Sequence, residues 1–330
     1  MKKVLVIGSN SFSGQDFIDL LLLTGRYYVI GISRSEEKDP VFLRYKQNKN
    51  LSSFRFYQID LNKDLDKLGE IIQEEKPVYI VNFAAQSEVA PSWIHPEHWY
   101  QTNCVSLAKL INFLKDCQFL EKYVHISSPE VYGSCTGLIS EDAPLNPSTP
   151  YAASKAAADM LLSVYRKQFN FPVVTVRSTN VYGARQQLFK IIPRAIIYYH
   201  LGKKVQLHGG GKAVKSYIHI RDISEGELKI LENGKRGEIY HLSPHKGISI
   251  KELIEKICAL LGISFKDFVE VVEERPGQDK AYLISSEKAR KEFGWQPKIT
   301  LEEGLREVKE WVERNWDVIK KMPLEYLHKP

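Results

Sequence analysis

At 330 residues the chain can bury a full core, which suits two domains or one large α/β domain with an appendage. A composition 43% hydrophobic and 26% charged excludes disordered and fibrous classes. The formal charge of +6 comes without any long Lys/Arg block, so it argues against a nucleic-acid partner and leaves the excess to the surface and to cations facing an anionic ligand.

Val4 to Ile7 reads as a short, wholly apolar strand, too brief for a signal peptide, followed by a Gly/Ser/Asn loop and a helix from Gln15 to Leu23. Strands are then expected at Tyr28 to Ser33, at Phe54 to Ile59 and, after a helix over Leu65 to Glu75, at Val78 to Phe83. Trp99 to Asp116 reads as helix, Tyr123 to Ser127 as strand, Tyr151 to Phe169 as helix and Val173 to Arg177 as a sixth strand. Apolar strands alternating with helices imply a Rossmann-type, doubly wound parallel sheet covered on both faces. Beyond about residue 178 the pattern loosens into Gly- and Pro-punctuated segments with helices such as Ile191 to His200, Ile250 to Leu261 and Leu301 to Asn315. The expected division is therefore a dinucleotide-binding domain over 1–178, to which later segments can return, and a smaller mixed α/β substrate domain over 179–330. No stretch approaches the ~20 apolar residues of a membrane span. Cys104, Cys117, Cys135 and Cys258 form no Cys-x-x-Cys pair and have no His-rich neighbour, so reduced thiols, a cytoplasmic setting and no metal site are expected.

Gly8, Asn10, Ser11, Phe12, Ser13 and Gly14 occupy the turn in which a dinucleotide pyrophosphate meets a helix N-terminus. The second strand ends in Ser33-Arg34 without the acidic residue that grips the ribose 2′-hydroxyl of NAD, which favours NADP, with NAD the close alternative. Tyr151 and Lys155 stand four residues apart on one helix face, and a fixed cation beside a phenol favours the phenolate by roughly one to three pKa units. Such a pair can move the proton of a sugar hydroxyl while hydride leaves the same carbon.

These segments, together with Asp60-Leu61, the run Asn82 to Ser87, the run Ser127 to Gly133, the run Arg177 to Gly183, His219 to Asp222 and Arg275 to Asp279, resemble the extended short-chain dehydrogenase/reductase family, in its nucleotide-sugar dehydratase and epimerase branch. The resemblance implies that Asp60 contacts the adenine with Leu61 also on the cofactor, that Ala84 and Ala85 line the cofactor channel, and that Asn103 lies near the cofactor. It implies Ser128 beside Tyr151 at the sugar 4-hydroxyl, Ser87, Glu88 and Asp279 on the substrate side, and Asn180, Lys215 and Arg275 on the nucleotide diphosphate. Glu130 stands where the 4,6-dehydratases carry the base that removes the C5 proton, so the implied activity is a nucleotide-sugar 4,6-dehydratase. A 4- or 5-epimerase or a 5,6-dehydratase is the alternative. Pro129 replaces the Asp or Ser of other dehydratases and has no proton to give the departing hydroxyl, which leaves Glu130, a water or Tyr132 for that task and leans the nucleobase toward guanosine or uridine. The family commonly dimerises through the two helices at 99–116 and 151–169, so a homodimer or dimer of dimers is expected.

Overall fold

The computed structural model describes residues 1–135, 137–244, 246–273 and 283–330. Its centre is a sheet of seven parallel strands: β1 (Lys2–Ile7), β2 (Tyr27–Ser33), β3 (Phe54–Gln58), β4 (Tyr79–Asn82), β5 (Lys122–Ile126), β6 (Val173–Ser178) and β7 (Ile239–Leu242). The spatial order is β7-β6-β5-β4-β1-β2-β3, so the order reverses between β1 and β4. In such sheets the crevice for a ligand opens at the carboxyl ends beside that reversal.

Alternation along β1 explains why the strands are apolar throughout. Val4 and Val6 face one layer, with Phe17, Ile18, Leu21 and Leu22 of α1 (Phe12–Thr24) and Ile223, Ile230 and Leu231 of a later helix. Leu5 and Ile7 face the other, against Leu68 and Ile72 of α2 (Leu65–Glu75), Leu110 and Leu114 of α3 (Leu107–Leu114) and Ala158 and Leu162 of α4 (Pro150–Phe169). The later helix is α5 (Ile220–Asn233), which together with β7 brings residues from well past 178 into the main sheet's layers.

A separate core joins the helices Ile191–His200, Ile250–Leu261 and Leu301–Arg314 through Ile196, Leu253, Ile257, Leu305 and Val308. The His219 to Asp222 segment stitches this region to the sheet layers. Arg221 Nη2 donates to Asp16 at 3.1 Å and Asp19 at 2.7 Å, both on α1, while the Asp222 carboxylate accepts from the Lys298 and Ile299 amides at 3.0 Å. No helix among the described residues is long and apolar enough to cross a membrane, and the four cysteines are free thiols.

Two helices differ from the sequence expectation. α1 begins at Phe12 rather than Gln15, because Ser11 caps it: its Oγ accepts from the Gly14 amide at 2.9 Å. The expected helix from Trp99 to Asp116 is a helix over Pro96–Tyr100, a wide π turn over Gln101–Ser106 and then α3.

Candidate active site

A cavity of about 320 Å³ opens at the carboxyl ends of the strands. It is lined by Ser11, Phe12 and Ser13 after β1, Phe83 and Ser87 after β4, Ser127 to Glu130 after β5, and Thr179 and Asn180 after β6. Tyr151 from α4 and Gln187, Lys190 and Tyr217 from the C-terminal half close it. Of the expected site residues, Ser11, Phe12, Ser13, Ser87, Ser128, Glu130, Tyr151 and Asn180 thus meet on one wall system. A larger cavity of about 580 Å³, between α1 and the helix Leu301–Arg314, holds none of them.

The loop after β1 is shaped by close approach. Gly8 adopts φ +87°, and a Cβ there would stand 2.8 Å from the Ala84 amide nitrogen; a Cβ on Gly14 would meet the Gly8 carbonyl oxygen at 2.3 Å. Ser11, in the place of the usual middle glycine, has φ −69° and needs no left-handed freedom. Ser9 Oγ and Asn10 Oδ1 are buried in this loop without hydrogen-bond partners among the described residues, which fits a loop that cradles a polar cofactor. Asp60 accepts from the Asn62 amide at 2.9 Å, Leu61 is buried in the layer against α2, and Ala84 donates to Asn82 Oδ1 at 3.0 Å beside Ala85. Asn103 sits in the π turn, whose extra residue turns its amide inward. Asn103 Oδ1 accepts from the Gln86 amide at 2.9 Å, and its Nδ2 donates to the Gln86 carbonyl at 3.0 Å and to Ser154 Oγ at 2.9 Å.

The turn that carries Ser128 and Glu130 follows β5. Ser128 caps a 3-10 turn over Pro129–Tyr132 and its Oγ accepts from the Glu130 amide at 3.2 Å. Pro129 takes the first position of that turn, where its fixed φ is favourable and no amide proton is needed. Beneath the turn, Asp159 Oδ2 accepts from Ser127 Oγ at 2.7 Å and from Arg177 Nη2 at 2.7 Å. Burial drives His241 down to about 3, so its imidazole is neutral; Nδ1–H donates to the Ser285 carbonyl and Nε2 accepts from the Tyr132 hydroxyl at 2.7 Å. Arg177 in turn donates to Tyr132 Oη. Tyr132 therefore spends its proton inside the core and is 2% exposed, which removes it as a donor to a departing hydroxyl. Asp159, Arg177 and His241 are partners of the site that the sequence does not announce; a buried Arg in a strand opposite a helical Asp carries no local sequence pattern.

Tyr151 and Lys155 are both buried. Burial, followed by the nearby Glu130 carboxylate, pushes the Tyr151 phenol up, while a hydrogen bond with Ser128 opposes the rise. Lys155 Nζ donates to the Ile126 carbonyl at 2.7 Å, and burial pushes its ammonium down to about 8. Among the protein's own groups, desolvation and Glu130 therefore set the direction for Tyr151, opposite to the phenolate expected from Lys155.

A family model described as GDP-mannose 4,6 dehydratase matches residues 5–308. The chain belongs to that family. It is an extended short-chain dehydrogenase/reductase of the nucleotide-sugar 4,6-dehydratase branch. The dTDP-D-glucose 4,6-dehydratase of Homo sapiens is 30% identical, over 96% of this chain and 91% of its own length, and the Haemophilus influenzae dTDP-glucose 4,6-dehydratase 29%, over 94% and 98%. The crystal structure of dTDP-glucose 4,6-dehydratase from Bacillus anthracis in complex with NAD superposes with a TM-score of 0.86 at 32% identity, covering 96% of this chain and 98% of that one. The Streptomyces venezuelae dTDP-glucose 4,6-dehydratase with NAD and TYD bound gives 0.88 at 28%, with the same two coverages.

Within this dehydratase-family frame, the substrate side holds one pair that the sequence did not announce. Glu88, whose role was open, accepts an ion pair from Lys190 at 2.7 Å, and Lys190 lines the cavity from the start of the helix Ile191–His200. Lys215 lies in a short strand paired with Ile248 and is not part of the cavity lining. Arg275 and Asp279 fall outside the described residues. Ser33 Oγ accepts from the Asn10 amide at 3.1 Å, and Arg34, expected on a 2′-phosphate, donates from Nη1 to the Lys329 and Pro330 carbonyls at 3.1 and 2.6 Å. Gln86 Nε2 also donates to the Lys329 carbonyl, at 2.6 Å. Because Arg34 follows β2, Gln86 follows β4 and β1 lies between them, residues 326–330 form a strap across the mouth of the glycine loop.

Proposed function

We propose that this chain is a nucleotide-sugar 4,6-dehydratase that converts a nucleoside-diphosphate hexose to its 4-keto-6-deoxy form. The observation that carries this reading is Glu130 in the same cavity as Ser128 and Tyr151, close enough for its charge to raise the phenol. Ser128 and Tyr151 would hold the sugar 4-hydroxyl and take its proton as the 4-ketone forms. The 4-ketone acidifies the C5 hydrogen, which Glu130 removes. With Pro129 and Tyr132 unable to donate, the same Glu130 carboxyl, directly or through a water, is left to protonate the C6 oxygen, so that the C6–O bond breaks and water leaves. A nicotinamide held by the loop from Gly8 to Gly14 supplies the acceptor for the C4 hydride and its return to C6.

NAD is favoured over NADP, since Arg34 is engaged by the strap and the Bacillus and Streptomyces relatives carry NAD. Thymidine now leads guanosine and uridine as the nucleobase, on the strength of the dTDP-glucose relatives. We assign the cofactor part to 1–178 together with α5 and β7, and the sugar-nucleotide part to the remainder of 179–330. Met160 and Val164 on α4 and Val105 in the π turn are exposed, which supports a homodimer through that face.

Incubation with dTDP-glucose and NAD should give a product lighter by one water, carrying a 4-ketone, with no net reduction of cofactor. In Glu130→Gln the oxidised sugar should form without dehydrating, so that reduced nicotinamide accumulates in a single turnover. Products that all retain the C6 hydroxyl would sink the proposal and favour the epimerase reading, which Pro129 alone supports.

A further inference from the structure

Among the described residues, the side chains grouped as metal donors lie outside the active site, on the segment that links Glu88 to the π turn. His95 Nδ1 and His98 Nε2 approach Glu97 Oε1 at 3.7 and 3.6 Å, and the three donor atoms all lie within 4.8 Å of one another. In a tetrahedral zinc site with bonds of 2.0–2.1 Å, neighbouring donors stand about 3.4 Å apart, so small rotamer shifts would bring these into coordination.

The second observation comes from the strap. The ring of His328 stacks on His98 at 5.0 Å and on the buried Trp99 at 5.3 Å. His98 Nδ1 lies 2.8 Å from His328 Nε2, and His328 Nδ1 lies 3.1 Å from Tyr326 Oη. Two proton directions satisfy this chain. In one of them His98 Nδ1–H donates to His328 and leaves Nε2 bare toward Glu97, which is the tautomer a metal ligand needs, oriented by an outer partner in the way metal-binding histidines usually are.

We propose that His95, Glu97 and His98 bind one divalent transition metal of the zinc class, with water completing the sphere, and that the bound metal locks the His98–His328 contact and so fastens the strap over the cofactor mouth. Two imidazoles and a carboxylate suit zinc over magnesium or calcium. The sequence expectation of no metal site weighed only the cysteines and passed over the His-Pro-Glu-His run.

The test uses tag-free, chelator-treated full-length protein and zinc chloride alone, and needs no substrate. One zinc per chain should survive desalting, and cobalt in its place should show the intense visible absorption of a tetrahedral site. His95→Ala, His98→Ala and Glu97→Gln should each abolish retention, with circular dichroism confirming that the variants are folded. His328→Ala should keep the stoichiometry but weaken binding by roughly 10- to 100-fold, the effect expected for loss of an outer partner. Zinc should slow amide hydrogen exchange over 326–330 in the native protein and leave His328→Ala unaffected. Zinc retained equally by the His95→Ala/His98→Ala double variant, or not retained by the native protein, would overturn the site; retention without any change in strap exchange would overturn the fastening.

Discussion

Tyr151 faces the cavity as a phenol that burial and Glu130 keep protonated, and Lys155 behind it is pushed down to about 8. Neither group alone is the base. Of the two, Lys155 gives up its proton first, as pH rises past about 8. The rate constant kcat/KM for C4 oxidation should therefore climb with pH through about 8 and level above it, because below that pH both groups hold their protons. A profile that is flat from pH 6 to 9 would contradict this assignment. Tyr151→Phe should lower kcat by roughly 10²- to 10⁴-fold, the usual worth of a positioned acid-base group, while leaving the melting temperature close to native. Ser128 and Glu130 were legible beside Tyr151 because all three sit in contiguous motifs. The shifts of the pair were not, since desolvation depends on what the fold stacks over it.

At the level of elements, the parallel strands and their order in the chain could be read directly, for wholly apolar runs such as Val4 to Ile7 have no other stable place than a sheet covered twice. Turn chemistry was legible only in part. Ser11 as a helix cap needs the Gly14 amide opposite it, and the π turn around Asn103 is invisible to periodicity because its neighbours are ordinary helix formers. Least legible was the platform under the Ser128–Glu130 turn, where Asp159 of α4 meets Arg177 of β6. Their side chains are 6% and 2% exposed, so Asp159→Asn strands a buried guanidinium and should cost about 3–5 kcal/mol in chemical denaturation. The same variant should lower kcat, since Ser127 and with it the turn carrying Ser128 and Glu130 lose their anchor. A destabilised enzyme with native kcat would show that the platform supports the core alone.

For the molecule as a whole, the strap joins two parts that the sequence pattern left separate. Tyr326 packs on Phe189 at 5.4 Å, and Lys329 is held by Gln86 and Arg34 from the carboxyl ends of β4 and β2. Removal of residues 326–330 should speed exchange of bound NAD, measured by displacement of a fluorescent analogue, while the single-turnover rate of C4 oxidation stays near native. An unchanged exchange rate would mean that the strap covers the loop without holding its ligand.

The edge strand β7 carries a different consequence, one that concerns synthesis. Val174 and Val176 of β6 share a core with Tyr240 and Leu242 of β7 and with Ile223 and Ile230 of α5, and β6 has no second neighbour until β7 arrives. A nascent chain that has emerged only as far as residue 178 therefore presents an unpaired apolar edge and half a hydrophobic layer to solvent or to a neighbouring ribosome's product. Some sixty further residues must leave the ribosome before that edge is sealed, so chaperone engagement during translation should be concentrated in that interval.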